Sequence, residues 1–209
     1  MEFEVISSVE HLRELYDTPM DLVIKKQQSK LDQYSTQFLE LSPFVILSTS
    51  NARGSMDCSP RGDFPGFIQI LDENTIAIPD RPGNNRLDSL SNIVENPNVG
   101  ILALIPGFKE CLRVNGEAKI VTNVGLLKRF EYQGKLPKTV IVVSIAETFF
   151  HCAKAITRSK IWKVEAQAER NIMPSLGEIL TKQIDPLKSE GEIKKVEEII
   201  ENRVKTTLY

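Results

Sequence analysis

The spacing of apolar and polar positions changes character twice along the chain. Before residue 44 the signals are helical. Thr18-Pro19-Met20-Asp21 reads as a capping threonine, a proline at the first helical position and an acid behind it. Leu22 and Val23, with Lys26 and Lys30, leave a weakly amphipathic face, and a further helix is predicted from about 32 to 41, stopped by Ser42-Pro43. From Phe44 the pattern turns to short β-rich runs at 44–49, 66–71, 75–79, 99–105, 111–121 and 140–146. Asn51-Ala52-Arg53-Gly54, Asp72-Glu73-Asn74 and Pro106-Gly107 punctuate them as turns. One helix interrupts the middle, over about 85–95, where Leu87, Leu90, Ile93 and Val94 share a face and Asn96-Pro97 ends it. The tail is helical again: Pro174-Ser175-Leu176-Gly177-Glu178 opens a short helix. Ile193, Val196, Ile199, Ile200 and Val204 mark a longer one ending near Tyr209.

Short strands joined mostly by turns favour an antiparallel barrel over a βαβ sheet, so the fold class is mainly β (β+α). The expected organisation is a helical segment at 1–42, a barrel domain at 43–165 and a helical tail at 166–209. A length of 209 residues suits one sizeable domain with appendages. Apolar content of 41% and charged content of 26% are those of an ordinary globular protein. A formal net charge of -2 argues against a general nucleic-acid binder. The apolar runs are too short to span a bilayer. Glu2 and Glu4, with no apolar core behind them, predict no secretory leader. Three widely spaced cysteines, Cys58, Cys111 and Cys152, then read as free thiols in a reducing cytoplasm.

The candidate chemistry lies in two loops. Behind the 75–79 strand comes Asp80-Arg81-Pro82-Gly83-Asn84-Asn85-Arg86-Leu87-Asp88, read as a turn and then a helix whose first turn holds two asparagines and an arginine. A helix start has unpaired N–H groups and a partial positive charge, so adding a guanidinium makes a site for phosphate. Upstream, Ser59-Pro60-Arg61-Gly62-Asp63 lies at the end of another expected strand and forms a second anion loop. Each loop alone also reads as an ordinary cap or a solvated surface. His151-Cys152 lacks the neighbouring histidines, cysteines or acids of a metal site, and adjacent side chains diverge, so no metal and no Cys–His pair is expected. Trp162, in a strand-like run, reads as buried core.

These residues, with Asn-Pro-Asn-Val-Gly at 96–100, Leu-Arg-Val-Asn-Gly-Glu-Ala at 112–118, His151-Cys152-Ala153-Lys154-Ala155 and Arg158-Ser159-Lys160-Ile161-Trp162, resemble the pyridoxamine 5'-phosphate oxidase-like flavoproteins. The Pro-Asp-Arg-Pro-Gly-Asn-Asn-Arg run looks like a subgroup of probable FMN-dependent enzymes. The resemblance covers residues 44–162. It implies the FMN-binding split barrel, an antiparallel Greek-key barrel with flanking helices, and a homodimer with FMN at the subunit interface. By position, Arg61, with Ser59, Gly62 and Asp63 beside it, matches the family's phosphate arginine. Ile78, Pro79 and Asp80 match the strand along the flavin ring, and Asn84, Asn85 and Arg86 the helix-start grip. Cys111 and Arg113 begin a strand whose polar side chain approaches the flavin, and Lys154 and Arg158 lie in the region a partner chain contributes. The family's Arg-x-His-Asp-Arg-type segment is missing after Trp162, so pyridoxine phosphate is not the expected substrate. The resemblance therefore implies an FMN-dependent oxidoreductase acting on an unidentified small molecule by hydride transfer, with catalytic residues unassigned. A non-catalytic flavin sensor or store and a deazaflavin-dependent reductase remain open, and Arg113, Lys154 and Arg158 also read as solvated surface residues. No nucleic acid and no membrane are expected as partners.

Overall fold

Alternation in β1 (Phe44–Ser50) sends Val45, Leu47 and Thr49 to one face, where all three are buried. The same period runs through β5 (Asn98–Leu104), which buries Val99, Ile101 and Ala103, and through the first half of β6 (Cys111–Val121), which buries Leu112 and Val114. Together with β2 (Met56–Gly62), β3 (Gln69–Asp72), β4 (Thr75–Pro79) and β7 (Val140–His151), they form one seven-stranded antiparallel sheet in the order β2-β1-β5-β6-β7-β4-β3. The computed structural model describes residues 1–209.

Chain length forces this sheet to curl. Consecutive strands β2 and β3 occupy opposite edges, yet only residues 63–68 connect them. Laid flat, the six inter-strand spacings span about 29 Å at ~4.8 Å each. The seven steps from Gly62 to Gln69 reach at most about 25 Å when fully extended. The edges must therefore approach each other, and the result is the split barrel. Twenty buried residues fill it, drawn from β1, β4, β5, β6 and β7, from the helices α3 (Gln33–Leu41) and α4 (Asp88–Glu95), and from Leu31, Phe67, Ile68 and Ile105 in the connections; Ile70 of β3 packs against them. β6 and β7 pair along their whole length with one bulge at Asn115/Gly116. A Cβ at Gly116 would overlap the Ser144 carbonyl oxygen, so the bulge requires glycine.

The strands at 75–79 and 111–121 lie where the pattern put them. β7 runs five residues further than expected, to His151, because its second half stays paired with β6 while residues 26–28 lie alongside. Two expectations fail at caps. The early helix is only α2 (Asp21–Lys25), with Met20 rather than Thr18 at the N-cap, and its apolar residues are exposed. The mid-chain helix starts at Asp88, three residues later than expected, because Asn85 and Leu87 adopt left-handed backbone angles that helix cannot contain. Trp162 lies in a turn after α6 (Lys154–Ser159), half-buried, where its indole N–H donates to the Phe108 carbonyl at 2.7 Å. Two short helices, α1 (Val9–Glu14) and α5 (Val124–Lys128), had no distinct signal. The tail forms α7 (Leu176–Ile184) and α8 (Glu190–Thr206), which pack closely enough at Gly177 and Glu197 to exclude a Cβ. No helix is long and apolar enough to cross a membrane.

Two stability predictions follow from this architecture. Gly116→Ala should lower stability by roughly 1–3 kcal/mol in urea unfolding, the usual cost of overpacking. Gly100→Ala, whose Cβ meets the side chains of Asn115 (Oδ1 at 3.3 Å) and Ser48 (Cβ at 3.9 Å) and no backbone, should cost less. At α3, Asp32 accepts from the Tyr34 and Ser35 amides and from the Ser35 hydroxyl, and the Ser35 N–H foremost holds its pKa below the usual carboxylate value. The folded pKa is the lower one, so this stabilisation is complete above the unfolded pKa and is lost as pH falls through the folded value. Asp32→Ala should cost about 0.5–2 kcal/mol at pH 7. It should also flatten the acid limb of stability against pH; an unchanged limb would refute the assignment.

Candidate functional site

β2 is an edge strand, and its period of two puts Asp57, Ser59 and Arg61 half-buried on one side, with Met56, Cys58, Pro60 and Gly62 outward. The inward side faces the segment 80–89. Ser59 Oγ donates to both oxygens of Asp57 at 3.0 Å, and Ser89 Oγ on α4 donates to Asp57 Oδ2 at 2.6 Å. Arg61 Nη1 meets Asp80 Oδ1 at 2.7 Å, with both side chains about four-fifths buried. Two residues on, Arg81 Nε meets Asp63 Oδ2 at 2.6 Å, and Arg81 Nη1 donates to the Phe130 carbonyl at 2.9 Å. Two ion pairs thus cross from the β2 end to the segment after β4, where the barrel is split.

The two loops singled out in the sequence are therefore brought together, with different roles for their members. Ser59, Arg61 and Gly62 are not a loop: they lie inside β2. Arg61 offers one nitrogen to Asp80, while its buried Nε has no partner in the chain. Asp63 spends its oxygens internally: Oδ1 accepts from the Phe64 amide and the Tyr209 hydroxyl, and Oδ2 from Arg81. Its side chain is 4% exposed, which makes it an anchor of the seam rather than a surface ligand. Asn84, Asn85 and Arg86 precede the helix instead of opening it. The Arg86 amide is held by Asn84 Oδ1 at 3.0 Å, and its guanidinium, 72% exposed, pairs with Asp88 at 2.8 Å. The Asp88 hydrogen bond, then the charges of Asp88 and Asp57, push the Arg86 pKa up. Asn85 and Leu87 stand on either side at φ 59° and 61°, and non-glycine residues held this way concentrate at functional segments.

The remaining expected residues lie elsewhere. Ile78 is fully buried in the core and Pro79 is buried beside it; Asp80 is the only polar one of the three. Register separates Arg61 from Arg113. Arg61 stands opposite Val45, then Ala103, then Leu112, all core residues on the inner face. Arg113 stands opposite Leu102, Ile46 and Pro60, on the outer face. There it stacks on Phe149 at 4.0 Å and pairs with Glu147 at 2.7 Å, with its Nε also buried and unpartnered. Cys111 shares that face and is buried, and burial foremost, with Glu110, pushes its thiol pKa up. Burial, then Arg113 and Lys26, lowers the pKa of His151 opposite it. Lys154 and Arg158, on the exposed α6, make no ion pair within the chain. An open hollow of about 510 Å³ also lies on the outer face, over Ser48, Gly100, Asn115 and Glu117.

Sequence reasoning missed Asp57, Arg81, Ser89 and Tyr209. Asp57 was recoverable, since it alternates with Ser59 and Arg61; Tyr209 carried no local signal.

A family model described as pyridoxamine 5'-phosphate oxidase matches residues 31–152. Among curated proteins nothing matches. The fold is similar to solved structures of HupZ from Group A Streptococcus (18% identity, 57% of this chain and 93% of that one, TM-score 0.46). An FMN-binding protein from Syntrophomonas wolfei is also similar (15% identity, 69% and 97%, TM-score 0.43). A third is General Stress Protein 26 from Bacillus anthracis (16% identity, 55% and 88%, TM-score 0.42).

Removing one member of the buried pair should reveal how much the seam depends on it. Arg81→Ala strands the Asp63 carboxylate and should cost about 3–5 kcal/mol of stability in urea unfolding. Replacing Arg86, whose pair with Asp88 is exposed, should leave the unfolding midpoint unchanged. Equal effects would contradict the burial argument.

Proposed function

The chain belongs to the pyridoxamine 5'-phosphate oxidase family, and from that premise we propose that it binds FMN and acts as an oxidoreductase on a small organic molecule. The observation that carries the reading is Arg61: a buried guanidinium with an unpartnered Nε, set across the seam from a strained, exposed loop that holds Arg86. Guanidinium groups bind phosphate through directed, charge-assisted N–H donors. Arg61 would take a phosphate with the donors Asp80 leaves free, and Arg86 with those Asp88 leaves free, whereas the hydroxyls of Ser59 and Ser89 are spent on Asp57. Asp57, Asp80 and Asp88 outnumber the two arginines in formal charge, so recognition rests on aimed donors rather than on a positive field. Bound FMN would supply two-electron redox chemistry at its ring, through which a hydride is exchanged with the substrate. The chain's own task is to fix the phosphate, orient the ring and exclude water.

The proposal includes a homodimer sharing the flavin between subunits. Its support is that Arg113 and Cys111 stand on the opposite face of the sheet from Arg61, and that Lys154 and Arg158 are exposed without partners. A second copy could bring such residues to the phosphate side. A cytoplasmic location is proposed too, supported by three unpaired thiols.

The test begins with colour. Purified protein should be yellow and release FMN on denaturation. Arg61→Ala and Arg86→Ala should each weaken FMN binding about ten- to a hundredfold. Full flavin occupancy in both variants overturns the phosphate assignment. Anaerobically reduced protein should then be reoxidised by at least one acceptor among oxygen, quinones and small organic molecules; failure with the whole panel favours a flavin store or sensor.

A further inference from the structure

Asp63 gathers donors from its own neighbour and from two distant parts of the chain: the Phe64 amide at 2.8 Å, Arg81 Nε at 2.6 Å and the Tyr209 hydroxyl at 2.7 Å. The Tyr209 ring stacks on Tyr132 at 4.2 Å, Tyr132 lies 5.5 Å from Phe64, and the Arg81 guanidinium sits 5.2 Å from the Tyr209 ring centroid. Lys135 Nζ reaches the Tyr209 carbonyl at 2.8 Å. Six residues earlier, Arg203 on α8 donates to the Gly83 carbonyl at 3.4 Å, and Ile200, Val204 and Leu208 face Pro82 and Gly83 across a hollow of about 280 Å³. The loop between β4 and α4 is therefore held at Asp80 by Arg61, at Arg81 by Asp63 and Tyr209, and at Gly83 by Arg203. Immediately beyond these fastenings come Asn84, Asn85 and Arg86. Side-chain packing does not fix them, for all three are exposed. Their placement depends on the backbone leading into them.

We propose that Tyr209 and Arg203 are positioning residues for phosphate: the C-terminal helix sets the 80–87 loop, and through it Arg86, in the geometry that grips the phosphate of the flavin. This rests on the flavin-phosphate reading above and adds an element outside the matched family region of 31–152. Neither residue touches the cofactor. Each acts through Asp63–Arg81 or Gly83. Burial, then Asp63, pushes the Tyr209 pKa up to about 12, so the phenol keeps its donating proton at any pH where the protein works. Tyr209→Phe keeps the ring stack and removes only the donor to Asp63, whereas Tyr209→Ala removes both.

A phosphate-specific role separates from a merely structural one by comparing FMN with riboflavin, which has the same ring and no phosphate. Dissociation constants are measured by flavin-fluorescence quenching for the full chain and for Tyr209→Phe, Tyr209→Ala and Arg203→Ala, with circular dichroism confirming that each is folded. Tyr209→Ala and Arg203→Ala should weaken FMN about three- to tenfold, the usual size of coupling through intervening residues. Riboflavin affinity should be unchanged, and Tyr209→Phe should fall between wild type and Tyr209→Ala. A wild-type preference for FMN over riboflavin that Tyr209→Ala and Arg203→Ala both retain overturns this inference alone. Equal loss of both flavins also overturns it. A wild-type chain that shows no preference for FMN overturns the phosphate reading itself, and this inference with it.

Discussion

Where the curled sheet fails to close, two guanidinium–carboxylate pairs do what backbone hydrogen bonds do elsewhere. Arg61–Asp80 and Arg81–Asp63 alternate along the gap, each joining the end of β2 to the segment leaving β4. Short connections bring the two edges near each other, and the ion pairs decide how near. Pairs this buried add little net stability compared with apolar residues of similar size, because desolvation offsets their attraction. Their gain is geometric: each directed N–H···O contact fixes a distance across the gap, and Arg81 is held further by its second bond, to the Phe130 carbonyl. The seam therefore holds one register, and the exposed loop beyond it inherits that register.

This explains how a strained segment persists on the surface. Asn85 and Leu87 adopt backbone angles that cost energy for non-glycine residues, and the exposed Leu87 side chain recovers little of it by packing. The segment is over-determined from both sides instead. Asp80, Arg81 and Gly83 are bonded upstream, and Ser89 is bonded to Asp57 downstream. A loop fastened at both ends has few alternatives to the strained path between them.

Much of the barrel was legible in the residues, because burial on one face of a strand leaves a period of two. Val45, Leu47, Ile101 and Val114 announce their strands in this way. β2 was harder to delimit: its inward residues are Asp57, Ser59 and Arg61, polar because they face the seam rather than the core, so Ser59–Gly62 read as a loop. The late start of α4 was hidden for a related reason. Asn84-Asn85 is good capping chemistry, and only tertiary fastening shows that the chain turns left-handed first. That the end of β2 and the segment after β4 carry the polar chemistry was legible from residue type, whereas the anchor that joins them was not. Asp63 and Tyr209 are 146 positions apart, and no local pattern links them.

The two arginines differ in freedom as much as in position. Arg61 is walled in, with its nitrogens fixed in direction. Arg86 is tethered at a rigid pivot, since its amide and both neighbours are pinned, but its side chain extends into water and exchanges rotamers on a picosecond-to-nanosecond scale. Under the phosphate-binding role proposed for both, an exposed arm would sweep a wide volume and make first contact with a dianion, while the walled-in Arg61 would hold it. On that proposal capture and commitment would belong to separate side chains, and arrival and residence could be tuned independently.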